Sequence, residues 1–165
     1  MVKDILKLGN PRLYEVSSEV LPSEKDNIDI WVADLHDTLM AYRATYGAGR
    51  AVAAPQIGVL KRLLYLYTDK PHVFINPVLS FPDPDKYELL DDCMSFPGLI
   101  VKVSRYKTAV IDYLDEDFQP KHMLLEGDLS ELLQHECDHL DGILATMRAV
   151  DNKSFFLEQM KRDFS

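Results

Sequence analysis

The run His135-Glu136-Cys137-Asp138-His139 constrains this chain more than any other stretch. Leu129, Leu132, Leu133 and Leu140 flank it at helical spacing. The pattern predicts a helix from Leu129 to about Asp141. Asp128 would be its N-cap, Glu131 the N3 partner in a capping box, and Gly142 the C′ residue. A helix so rich in leucine is buried, and its polar stripe must then be satisfied inside the fold, because unpartnered buried His and Glu side chains are costly. His135 and His139 lie four residues apart, hence on one face, one above the other.

Two imidazoles so placed can share one metal ion, and Glu136 sits about one residue further round the helix. This is the His-Glu-x-x-His pattern, in which the metal lowers the pKa of a bound water towards ~7 and the glutamate takes its proton during attack on a carbonyl. The motif is short. A surface helix with two unrelated histidines and a glutamate would also match it.

A hydrolytic site needs three protein ligands and an open position. Ala145 stands where one metalloprotease class places a third histidine, which excludes that class. Glu158 lies at a plausible distance downstream, but Phe155-Phe156-Leu157-Glu158-Gln159-Met160 does not resemble the usual glutamate-ligand motif and reads better as part of an exposed helix. Cys93, in Asp91-Asp92-Cys93-Met94-Ser95, offers a thiolate suited to iron or zinc, or else is a small buried hydrophobe. The chemistry favours Cys93 and leaves Glu158 open. Cys137, two residues along the helix from His135, faces away and reads as core.

The rest of the chain predicts one domain over residues 1–165, with no repeat or linker. A turn is expected at Gly9-Asn10-Pro11-Arg12. Ile28, Trp31, Val32, Leu35, Leu39 and Tyr42 predict a helix from Asp26 to about Tyr46, closed by Gly47. Short β-rich runs at Leu63–Tyr67, Val73–Ile75, Leu99–Val103 and Ala109–Tyr113 predict strands, with turns at Asn76-Pro77 and Pro82-Asp83-Pro84. The short spacings favour antiparallel pairing. A short amphipathic helix is expected from Lys153 to Arg162. The formal charge of −9 argues against nucleic-acid binding, and no apolar stretch approaches the roughly 20 residues of a membrane span. Without a signal-like N-terminus the expected location is the cytoplasm, where Cys93 and Cys137 have thiol roles rather than forming a disulfide.

Three separated segments together resemble the peptide deformylase family. Gly49-Arg50-Ala51-Val52-Ala53-Ala54-Pro55-Gln56 is similar to its Gly-x-Gly-x-Ala-Ala-x-Gln motif, Asp91-Asp92-Cys93-Met94-Ser95 to its Glu-Gly-Cys-Leu-Ser motif, and His135 to Gly142 to its third. Ile5-Leu6 and Gly9–Leu13 match the family's opening. The resemblance implies an α+β fold with antiparallel β-sheets packed around a central metal-binding helix, plus an N-terminal and a short C-terminal helix. It implies removal of the formyl group from the N-terminal methionine of newly made polypeptides. Cys93, His135 and His139 would hold the metal, preferably Fe2+, with zinc, nickel or cobalt as substitutes. Glu136 would be the general base. Gln56 and the Met94 N–H would bind the formyl oxygen, and Gly49 and Ala51 would line the substrate. The partner implied is an N-formylated peptide or nascent N-terminus, with no nucleic acid and no membrane.

The chain departs from the family pattern at three places. Ala51 replaces a glycine, which would cost about 1 kcal/mol if the position needs positive φ, or would narrow the cleft if the substrate passes close. Asp91 replaces a longer glutamate. Asp92 adds a charge beside Cys93, for which Arg50 is the expected counter-ion. Two further functions therefore stand beside the first: an amidohydrolase acting on another formyl amide, and a non-catalytic paralogue that binds formyl peptides. A metallopeptidase with Glu158 as ligand is the fourth.

Overall fold

The structure is a computed structural model that describes residues 1–163. Helix α1 (Lys25–Tyr46) is followed by strands β1 (Ala51–Ala53), β2 (Leu63–Tyr67), β3 (Pro71–Ser80), β4 (Lys86–Asp91), β5 (Leu99–Tyr106), β6 (Thr108–Leu114) and β7 (Pro120–Glu126). Helix α2 (Gly127–Leu140) and strand β8 (Phe155–Leu157) complete the frame. The strands form two sheets, ordered β1-β2-β3-β6-β7 and β4-β5-β8, and every neighbouring pair is antiparallel. No helix among the described residues is long and apolar enough to cross a membrane.

Side-chain alternation decides what each sheet face meets. In β2, Leu63 and Tyr65 join a core with Ile28, Leu35 and Leu39 of α1. Leu64 and Leu66 join the opposite core with Leu132, Leu133, Cys137 and Leu140 of α2. All five strands of the larger sheet contribute to that second core, so the sheet lies between the two helices. In β1, Ala51 and Ala53 turn towards α2 while Val52 turns towards α1. The small residues let α2 lie close to β1. A third core holds Leu13, Cys93, Phe96, Leu144 and the β5 residues Val101 and Val103.

The predicted first helix, the four strand centres and the α+β class all match what is observed. Four details differ. Asn76-Pro77 is no turn: it lies inside β3, where the register shifts between Ile75 and Val78, and Asn76 has φ 49°. The Asn76 side chain there accepts from Val20 N–H and donates to Val20 C=O, so its amide acts as an extra strand partner. Helix α2 begins earlier than expected. Glu126 occupies the N-cap without a side-chain bond, and Glu131 is free of the expected capping box and bonds Arg50 instead. The segment expected to be a C-terminal helix from Lys153 forms β8, then a 3₁₀ turn over Glu158–Asp163. There the open edge of β5, pairing Leu99 with Leu157 and Val101 with Phe155, overrides local helix propensity. Finally, β4 and β7 contain no β-branched residue, which left them unmarked in the sequence.

Candidate active site

Helix α2 carries His135, Glu136 and His139, all buried, towards the end of β4. Cys93 lies two residues beyond that strand. Its Sγ stands 3.4 Å from His139 Nε2, and one ligand atom each from Cys93, His135 and His139 lie within 4.8 Å of one another. Donors ~2.0–2.3 Å from a shared tetrahedral ion would be roughly 3.3–3.6 Å apart, so this group can hold one metal ion. Glu158 is exposed and outside that group. Cys137 is buried among the apolar residues of α2, as expected.

Nδ1 of His135 donates to Oδ2 of Asp91 at 2.8 Å, which fixes the ring and leaves Nε2 for a ligand. Asp91 also accepts from Arg105 at 3.2 Å, Arg105 bonds Asp138 at 2.6 Å, and Asp138 binds Arg148. Burial works to raise the Asp91 carboxyl, but His135 and then Arg105 hold it below the ordinary aspartate value. Burial pulls the His135 imidazole down, yet Asp91 and then Cys93 outweigh it and hold the ring well above the ordinary histidine value. Burial, and next the charge on His135, push His139 well below it. A cation at the three donor atoms would supply the positive charge that Asp91 and Cys93 otherwise draw onto His135. The donor set and its electrostatics therefore fit a metal.

Oε2 of Glu136 and Nδ1 of His139 are buried with no hydrogen-bond partner among the described residues. Burial, the largest influence, lifts the Glu136 carboxyl to about 7, against the opposing pull of His135. An unpartnered carboxylate oxygen with that proton affinity is suited to taking and returning a proton.

Gln56 lies in a 3₁₀ turn, Ala54–Ile57, directly after β1. Ala53 N–H donates to its Oε1 at 2.9 Å, so the amide orientation is fixed and Nε2 points inward. Nε2 donates to Ser95 Oγ at 3.1 Å and makes a looser contact of 3.5 Å to Cys93 Sγ. The N-terminal segment pins both sides: Leu6 N–H donates to Gln56 C=O, Leu8 N–H to Ser95 C=O, and Lys7 Nζ to Met94 C=O at 3.2 Å.

Gln56, Cys93, His135 and Glu136 line a cavity of about 740 Å³, together with Gly49, Ala51 and Met94. Gly49 has φ 126°, where a side chain is strained, and a Cβ there would press to 3.2 Å from Tyr42 and 3.3 Å from Leu39. Ala51 is not among the positive-φ residues, so the feared strain is absent. Arg50 does not pair with Asp92. Its Nη2 donates to Glu131 Oε1 at 2.9 Å, across the cavity wall, while Asp92 is exposed. The shortened Asp91 still reaches His135. Arg105 went unnoticed in the sequence. Its alternation with Val101 and Val103 puts it inward, and a buried arginine requires a carboxylate.

The family model described as Polypeptide deformylase matches residues 2–155. The chain belongs to the polypeptide deformylase family. A protein named "Peptide deformylase 1" from Prochlorococcus marinus is 41% identical, covering 93% of this chain and 84% of its own length. The crystal structure of the Thermotoga maritima peptide deformylase matches with a TM-score of 0.83 at 27% identity, covering 92% of this chain and 99% of its own. The Synechococcus elongatus peptide deformylase, solved in complex with actinonin, matches with a TM-score of 0.82 at 30% identity, covering 91% and 80%. The two-sheet architecture around α2 is thus the deformylase fold.

Proposed function

We propose that this deformylase, acting as one domain over residues 1–165 in the cytoplasm, removes the formyl group from the N-terminal methionine of newly made polypeptides. Cys93, His135 and His139 hold the metal. One thiolate with two imidazoles suits Fe2+, and zinc, nickel or cobalt accept the same donors. When bound, the metal supplies a Lewis acid and lowers the pKa of a water towards ~7. The observation that carries the reading is the buried, unpartnered Oε2 of Glu136, a residue that lines the same cavity as Cys93 and His135 of the three-ligand group.

The residues divide the work. Glu136 Oε2 takes the proton of the attacking water and returns it to the leaving amine. The Nε2 hydrogen of Gln56 that only loosely contacts Cys93 turns to the formyl oxygen as negative charge develops there. The Met94 N–H joins it, on a segment held in place by Lys7 and Leu8. Preorganised donors of this kind typically lower the barrier by ~2.7–4 kcal/mol each. Gly49 and Ala51 line the peptide's path.

The test is formate release from formyl-Met-Ala-Ser by protein loaded anaerobically with iron. We expect turnover that Glu136→Ala abolishes. Equal release by the variant, or none by either protein, overturns the reading.

A further inference from the structure

The Arg50–Glu131 ion pair spans 81 residues of sequence and lies on the cavity wall. Glu131 sits four residues before His135 on α2, so it lies on the same face and ~6 Å further along the helix axis. Its side chain is only 10% exposed, whereas that of Arg50 is 45% exposed. Oε1 takes the arginine. Oε2 accepts no hydrogen bond from the described residues, and Glu131 lines the cavity together with Arg50. Burial raises the carboxyl of Glu131 above the ordinary glutamate value, against the pull of Arg50.

The next step rests on the deformylase reading above. A formyl group held against Glu136, Gln56 and Cys93 leaves the first residue's side chain to fill the neighbouring cavity, within reach of the turn that carries Glu131. A wholly apolar side chain laid over Oε2 would strip its water and return no hydrogen bond. A side chain ending in a carboxamide would give Oε2 a donor and offer its own oxygen to the guanidinium of Arg50. We infer that Arg50 and Glu131 are specificity-determining residues for the first substrate side chain, and that they shift the cleft from wholly apolar side chains towards ones ending in a hydrogen-bonding group such as a carboxamide.

Three peptides of equal first-side-chain length test this: formyl-norleucyl-, formyl-methionyl- and formyl-glutaminyl-Ala-Ser. We expect the ratio of kcat/KM for glutamine over norleucine to fall by roughly 10-fold or more in Arg50→Leu/Glu131→Leu, because unmet polar groups are what a cleft discriminates by. A ratio within about 2-fold of the wild type overturns the inference. Calorimetry of the three unformylated product peptides with metal-loaded protein gives a second readout, in which the same shift must appear in the Kd ratio. Absence of formate from every peptide defeats the proposed function. The product-peptide ratio then still decides the role of the pair, and equal affinities for all three, or binding of none, overturn it. Should circular dichroism show the leucine variant unfolded, Arg50→Met/Glu131→Met, which keeps the side-chain stems and removes both polar groups, carries the same comparison with the same outcomes.

Discussion

The His135 ring and the Asp91 carboxylate meet at 2.8 Å, and this bond ties the proposed metal-binding face of α2 to the end of β4, two residues before Cys93. One carboxylate thereby orients one proposed ligand and anchors the strand that delivers another. Arg105 extends the tie to Asp138, one turn further along the same helix. Asp91→Asn keeps the shape and removes the charge. Metal affinity is expected to fall about 10- to 100-fold, as for other partners of ligating histidines. Competition with a chelator of known affinity measures it, and an unchanged affinity would show that the ring is held by packing alone.

Metal content separates the two candidate third ligands. Cys93→Ala removes a buried Sγ from a group whose donors already lie within 4.8 Å, and should lose the metal on desalting. Glu158→Ala alters an exposed residue at the cavity rim and should retain it. Metal per protein by plasma emission spectrometry reads both. The opposite pattern would restore the metallopeptidase reading.

Glu131 makes stability depend on pH. Burial, the main influence, raises its folded pKa above 4.5, so the folded state favours the protonated form. The cost of ionising it sets in as pH climbs past 4.5 and is complete above the folded value. Glu131→Gln removes that cost. Its Tm, relative to wild type, should therefore gain more near pH 8 than near pH 4.5. A Tm loss confined to the higher pH would mean that the Arg50 pair outweighs burial.

What was legible in the sequence follows from the range of the forces involved. The helix α2 stripe is local and periodic, and it was readable without the fold. Thiolate chemistry pointed to Cys93 and the deformylase motifs added Gln56, both of which only the fold brings to the helix α2 site. Asn76-Pro77 misleads because a turn dipeptide also serves a bulge, and here its amide bonds Val20, which lies 56 residues away. The β8 segment misleads because the edge of β5 is invisible from residues 153–162. Arg50 was expected to pair with Asp92, since both flank the site. The preference for Glu131 arises from burial on α2, which no local pattern records.

The end of α2 depends on Gly142. Its φ is +70°, and an added Cβ would stand 2.4 Å from the Tyr14 carbonyl oxygen. The neighbouring Ser17 N–H bonds the Leu140 carbonyl, so the Tyr14–Ser17 segment cannot simply move away. Gly142→Ala should cost about 1–3 kcal/mol. At this chain length that lowers Tm by roughly 2–4 °C per kcal/mol. A differential-scanning measurement with no change would show that the N-terminal segment yields without loss.

Ala51→Gly tests whether the departure from the family motif carries strain. Ala51 lies in extended β1, pairs with Leu66 and places its methyl in the core shared with Leu132. Its backbone needs nothing that glycine alone supplies. The substitution adds freedom to the unfolded chain, at ~0.5–1 kcal/mol, and deletes a buried methyl, at ~0.8 kcal/mol. Urea denaturation should therefore show a loss of about 1–2 kcal/mol. A gain in stability would contradict the extended geometry of β1. The lost methyl also widens the cavity that Ala51 lines, so KM for formyl-Met-Ala-Ser should change while the metal content stays constant.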